Sequence, residues 1–249
     1  MQSQLLSTLF CFSLAVNAVA GYHPFEGYAY GEAKAPTGTE WQSPMQLGYN
    51  KLPAHANFFS FGSTEQARKI LPENSTFYQS LDGPWRFHFS KNPDERPKNF
   101  YEQGFNDQSW DVVNVPISWN IAGVQKDGTL KYGVPIYVNQ WVIFKYNIEP
   151  GDWKKGVMRE PPKTWTTYKY RNEVGQYVRS FNVPANWKKL RVFINFDGVD
   201  SFFYLWINGK YVGFSKNSRS LAQFDITKYL VKGANRVAVE VYRCSDGSF

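Results

Sequence analysis

Hydrophobic and polar positions alternate in short blocks along most of this chain, and the blocks predict strands. In Trp85-Arg86-Phe87-His88-Phe89 the aromatic residues fall at every second position, the spacing of a strand with one buried face. His88 then faces the other way, towards solvent. Residues 110–116 form a second alternating block, 176–183 a third and 190–196 a fourth, the last closed by Asp197-Gly198. The clearest local signal lies at residues 202–213. There Phe203, Leu205 and Ile207 alternate with Phe202, Tyr204 and Trp206, Asn208-Gly209 supplies two residues that tolerate positive φ, and Lys210-Tyr211-Val212 returns. This is the pattern of a hairpin closed by a type I′ turn. Residues 225–230 read as one helical turn with Asp225 as its N-cap, and residues 63–71 as one short helix. Val237, Val239 and Val241 form the inner face of a last strand over residues 236–242.

Short alternating strands separated by turn signals predict an all-β fold, an antiparallel sandwich or jelly roll. That body spans residues 75–249. Residues 21–74 carry Pro and Gly every few positions and read as an extended N-terminal arm. Residues 145–175 are the least regular stretch and read as a long loop over the sandwich. Residues 1–20 have the form of a signal peptide: a short apolar block at residues 5–16, then Ala18-Val19-Ala20 before Gly21. No basic residue precedes the block. Phe10, not a small residue, stands before Cys11, so no lipid anchor is expected. The expected location is secreted or periplasmic, with no membrane attachment after the leader is removed.

Composition narrows the function classes. Aromatic residues make up 18% and charged residues 20%, which excludes disorder over most of the chain. The net charge of +7 is spread out, with no run of five Lys or Arg, so it reads as a solvated basic surface and no nucleic-acid partner is expected. Of two cysteines, Cys11 leaves with the leader and Cys244 stays alone, which excludes an internal disulfide and a thiolate zinc cluster. His23, His55 and His88 show no metal-ligand spacing. Asp197, Asp200, Glu102 and Asp246 are available acids, but nothing ties two of them into the carboxylate pair that glycoside hydrolysis needs.

Several stretches together carry a resemblance. They are Leu81-Asp82-Gly83-Pro84-Trp85-Arg86-Phe87, the Val115-Pro116 and Trp119 group, and Tyr132-Gly133-Val134-Pro135-Ile136-Tyr137-Val138-Asn139. Phe196-Asp197-Gly198-Val199-Asp200-Ser201, Leu205-Trp206-Ile207-Asn208-Gly209-Lys210, Phe224-Asp225-Ile226 and Asn235-Arg236-Val237-Ala238-Val239 follow. The Ser245-Asp246-Gly247-Ser248 ending completes them. In this order and spacing, over residues 40–249, the chain resembles the amino-terminal sugar-binding domain of family 2 glycoside hydrolases, in their β-galactosidase branch. The resemblance implies a galactose-binding-domain-like jelly-roll β-sandwich. It also implies that an immunoglobulin-like domain and a TIM barrel with the catalytic glutamates would follow this part, and that the chain by itself is not catalytic.

The resemblance implies roles for two residues. Asn139 would hydrogen-bond galactose, a task suited to an amide that both donates and accepts. Asp246 would accept from a galactose hydroxyl and help ligate sodium, the other sodium ligands coming from the barrel. Magnesium is expected only in a full-length family enzyme. On local sequence alone, Asn139 also reads as a turn cap and Asp246 as an Asx-turn residue. Trp119 and Trp141 read as stacking surfaces for a sugar ring or as packing residues. Cys244 stands where the family commonly has Trp. Two further readings stay open: a free-standing carbohydrate-binding protein, and one piece of a split glycosidase that assembles with a separately encoded catalytic barrel.

Overall fold

Residues 28–31, 35–43, 45–56, 58–135 and 172–245 are described by a computed structural model of the protein. Among them are ten strands: β1 (Tyr28–Ala29), β2 (Gly48–Tyr49), β3 (Gly83–Ser90), β4 (Asp111–Val115), β5 (Val174–Asn182), β6 (Phe193–Phe196), β7 (Phe202–Ile207), β8 (Lys210–Ser215), β9 (Ala222–Asp225) and β10 (Ala234–Tyr242). Two short helices, α1 (Thr64–Arg68) and α2 (Trp119–Ala122), interrupt them. Eight strands form one sheet in the order β1-β2-β8-β7-β10-β5-β3-β4, and β6 pairs with β9 in a second layer. All pairs are antiparallel except β1 with β2. The fold is an all-β jelly-roll sandwich.

Strand β10 is the spine of the large sheet, hydrogen-bonded to β5 on one side and β7 on the other. Its Val237, Val239 and Val241 face inward and join Trp85, Phe87, Leu205 and Ile207 in a core that Ile194 of β6 and Phe224 of β9 close from the opposite layer. The predicted hairpin is present. Asn208 (φ +52°) and Gly209 (φ +78°) make the left-handed turn between β7 and β8. The Asn208 side chain donates to the Tyr229 carbonyl (2.9 Å) and to Asn235 Oδ1 (2.7 Å), and accepts from the Arg236 amide (2.8 Å). The turn therefore also anchors the start of β10.

The outer face of the sheet is buried as well, which alternation alone does not reveal. Every residue of β7 is buried. Phe202, Tyr204 and Trp206 lie under Trp41 from the N-terminal segment and under Phe100 and Trp110 from the connection between β3 and β4. Trp41 stacks on Tyr242 (5.3 Å, 22°), and Tyr101 lies parallel to Trp206 at 4.8 Å. Two buried carboxylates here are paired, as burial demands. Glu240 accepts from Arg96 (2.9 Å), Gln176 (2.7 Å) and the Tyr242 hydroxyl (2.8 Å). Glu40 accepts from the Tyr204 hydroxyl and from the Thr37 amide at 2.8 Å.

This covering corrects the reading of His88. Its position does face away from the core, but it is half-buried with its ring 5.1 Å from that of Trp110, and burial lowers its pKa. Three local expectations shift as well. Strand β5 begins at Val174, inside the stretch read as a loop, and β6 begins at Phe193. Asp225 does not cap a helix: it accepts from the Thr227 amide (3.0 Å) and hydroxyl (2.6 Å), an Asx-type turn ahead of a 3₁₀ turn at Thr227–Tyr229. No helix among the described residues is long and apolar enough to cross a membrane.

Candidate functional site

One end of the sandwich opens into a cleft of about 1060 Å³. Its floor is the inner face of the large sheet, with Trp85 of β3, Tyr177 of β5 and Val239 and Val241 of β10. One wall is residues 115–120, running from the end of β4 into α2. The facing wall is residues 198–200 and 216–219, and Arg243 stands beyond the end of β10. The floor is apolar because it continues the core. The walls are polar because they are the loops that join the strands.

Trp119 opens α2 in the cleft wall. It is 7% exposed and packs on Phe87 (6.3 Å, 29°) and Phe89 (6.4 Å, 66°). Gly175 makes this possible: a Cβ there would stand 2.7 Å from the Trp119 ring. The indole N–H of Trp119 is buried without an acceptor. Packing is thus one role of Trp119, and the orphaned donor remains unexplained by packing.

Behind Arg243 the chain segments are tied together. Arg243 Nη1 donates to Glu173 Oε1 (2.6 Å) and to the Val134 carbonyl (3.0 Å). The Arg243 amide donates to the Glu173 carbonyl (3.0 Å). Asn172 (φ +57°) accepts from the Cys244 amide at 2.9 Å, and its own Nδ2 has no partner. Ser201 and Ser245 share a hydrogen bond of 3.1 Å. Burial raises the pKa of Glu173, and the Arg243 charge opposes that rise. Gly133 (φ +73°) sits against the pair; a Cβ there would meet Glu173 Oε1 at 2.9 Å. Cys244 is a free, buried thiol, its pKa pushed up to about 12 by burial, so it behaves as a small apolar residue.

Asn139, Asp246 and Trp141 lie outside the described residues, so the structure does not test their roles. Asp197 and Asp200 are exposed, and Asp200 faces Arg219 at 3.8 Å. No group of three His, Cys, Asp or Glu side chains gathers as a metal site among the described residues. Sequence reasoning missed the Glu173–Arg243 tie. Glu173 lay in a stretch that looked irregular, and nothing in the sequence pairs it with a residue 70 positions on.

The model of the glycosyl hydrolases family 2 sugar binding domain matches residues 78–249. A β-galactosidase from Priestia megaterium is 42% identical over 211 residues, which are 84% of this chain and 18% of that protein. A β-galactosidase large subunit from Leuconostoc lactis is 31% identical over 220 residues, 84% of this chain and 32% of that protein. This chain therefore spans less than a third of either relative. A crystal structure of a Bacteroides uniformis β-glucuronidase aligns with 68% of this chain and 15% of its own, at 19% identity and a TM-score of 0.44.

Proposed function

The chain belongs to glycoside hydrolase family 2 through its sugar-binding domain, and from that premise we propose that it is the galactoside-recognising part of a β-galactosidase. The observation that carries this is the family match over residues 78–249, joined to 42% identity with a β-galactosidase. In this reading Asn139 and Asp246 supply polar contacts to galactose. An amide can donate to one hydroxyl and accept from its neighbour, while an ionised carboxylate only accepts. Bond cleavage would need an acid and a nucleophile about 5 Å apart. That pair belongs, in this reading, to a catalytic barrel outside this chain. Asp246 would contribute one oxygen to sodium and the barrel the others, and magnesium would belong to the whole enzyme. Residues 1–20 would direct export.

A second reading, one piece of a split glycosidase, places the barrel on a separate chain. Both arrangements predict the same local test. Calorimetry of galactose with the protein is compared with Asn139→Ala and Asp246→Ala. Saturable binding lost in both variants supports an autonomous sugar site built on these residues. A folded, β-rich protein that binds no galactose means that the site is completed only by the barrel. Binding unchanged by either substitution removes Asn139 and Asp246 from the recognition role.

A further inference from the structure

We propose that one end of the sandwich is a basic face that docks peripherally on an anionic lipid bilayer. Along the sequence the basic residues are spread out, but the fold gathers six of them on three loops. Lys188, Lys189 and Arg191 lie between β5 and β6, Lys210 opens β8, and Lys228 and Lys232 lie between β9 and β10. All six are exposed. The loops meet where β10 begins, at the far end of that strand from Arg243. The Val192 amide donates to the Thr227 hydroxyl (2.8 Å) and the Ile226 amide to the Val192 carbonyl (2.9 Å), which joins the first loop to the third. Asn208 joins the β7–β8 turn to the third loop through the Tyr229 carbonyl.

Acids are scarce at this end. Residues 183–193, 207–212 and 225–234 hold one, Asp225, already taken by Arg191 at 2.8 Å. Glu102 adds a second, from the segment 101–103 whose backbone lies beside Gly209. Among the described residues no carboxylate pairs with the five lysines. Six clustered cations so lightly countered create a positive potential that attracts a negatively charged surface. Five are Lys, point charges on flexible stems, which suit a diffuse array of headgroups better than one shaped anion. Leu190 and Val231 stand among them, 41% and 51% exposed. Aliphatic tips ringed by lysines fit a bilayer interface: the tips enter the acyl boundary while the ammonium groups stay with the headgroups. A polyanion in water would leave both tips unused. The contact is peripheral, a form of attachment that the reading of the leader did not address, and it is independent of the galactoside reading.

The test is co-sedimentation of the full chain with vesicles of phosphatidylcholine alone and of phosphatidylcholine mixed with phosphatidylglycerol, in low and high salt. Binding to phosphatidylcholine alone measures any contribution of the apolar residues 5–16 and is subtracted. The expected result is an excess of binding to the mixed vesicles that high salt removes. Lys189→Gln with Lys210→Gln and Lys232→Gln lowers that excess roughly a hundredfold. Lys69→Gln with Lys91→Gln and Lys126→Gln has the same net charge and lowers it far less. Leu190→Ser with Val231→Ser weakens vesicle binding several-fold but leaves retention on a polyglutamate resin unchanged. Every changed side chain is exposed, so all three variants are expected to fold, which circular dichroism checks. No excess for the mixed vesicles overturns the proposal. Equal losses in the two lysine variants overturn it in favour of net charge alone. Vesicle binding undiminished by the Leu190 and Val231 changes overturns it in favour of a general polyanion-binding face.

Discussion

Glu173 and Arg243 form an ion pair in which each partner justifies the burial of the other. Their side chains are 2% and 14% exposed. Arg243→Ala strands a buried carboxylate and is expected to cost about 3–5 kcal/mol, read by urea denaturation. Replacing both residues with Leu and Met recovers most of that loss, because no charge is then left unpaired. Burial raises the pKa of Glu173, so the folded state binds its proton more readily than the unfolded chain does. Its contribution therefore improves as pH falls from the raised folded value towards the ordinary 4.5. Glu40 has the opposite sign. Burial pushes its pKa up, but the Tyr204 hydroxyl and the Thr37 amide outweigh that and hold it below 4.5. Its stabilisation is present above pH 4.5 and is lost as pH drops through the lowered value. Melting temperatures of wild type and Glu40→Gln should thus differ near neutrality and converge in acid. Neither the Glu173–Arg243 nor the Glu40–Tyr204 pairing was legible in the sequence, since each joins residues far apart in the chain.

Elements were more legible, and where they failed the cause is local. The β7–β8 hairpin could be read because Asn-Gly fixes both the turn and the register. Asn208→Gly keeps the left-handed turn and loses the side-chain bonds, while Asn208→Ala loses both. Urea denaturation should show Asn208→Ala less stable by a further ~1 kcal/mol or more. Strand β5 was cut short in the reading because Asn172-Glu173-Val174-Gly175 looks like loop chemistry. Its glycine is there for close approach to Trp119, not for a turn. The candidate site was legible only as family motifs, and its cleft arises from loops that no periodicity marks. The attachment of β2 to β8 was invisible for a similar reason. Gly213 lets the Tyr49 carbonyl approach to where a Cβ would be only 2.0 Å away. Gly213→Ala is expected to detach β2, raising hydrogen–deuterium exchange at residues 48–51 while β7 and β10 stay protected.

At the scale of the whole molecule, a single large sheet separates two aromatic layers, and the outer one is completed by residues from the N-terminal segment. Trp41→Ala removes the ring stacked on Tyr242 and should cost about 3–5 kcal/mol in urea denaturation. Increased binding of a hydrophobic dye would report the bared face. The segment's partners lie very far along the chain: Glu40 meets Tyr204 across 164 positions, and Asn50 Nδ2 meets the Val212 carbonyl across 162. Contacts this distant slow folding, because the loop must close before its contacts form. During synthesis the consequence is one of timing. Residues 37–51 leave the ribosome well before their seat on β7, β8 and β10 is made. Until β10 is synthesised Trp41 and Tyr49 have nowhere native to go, and a nascent chain in this state is one that chaperones would hold.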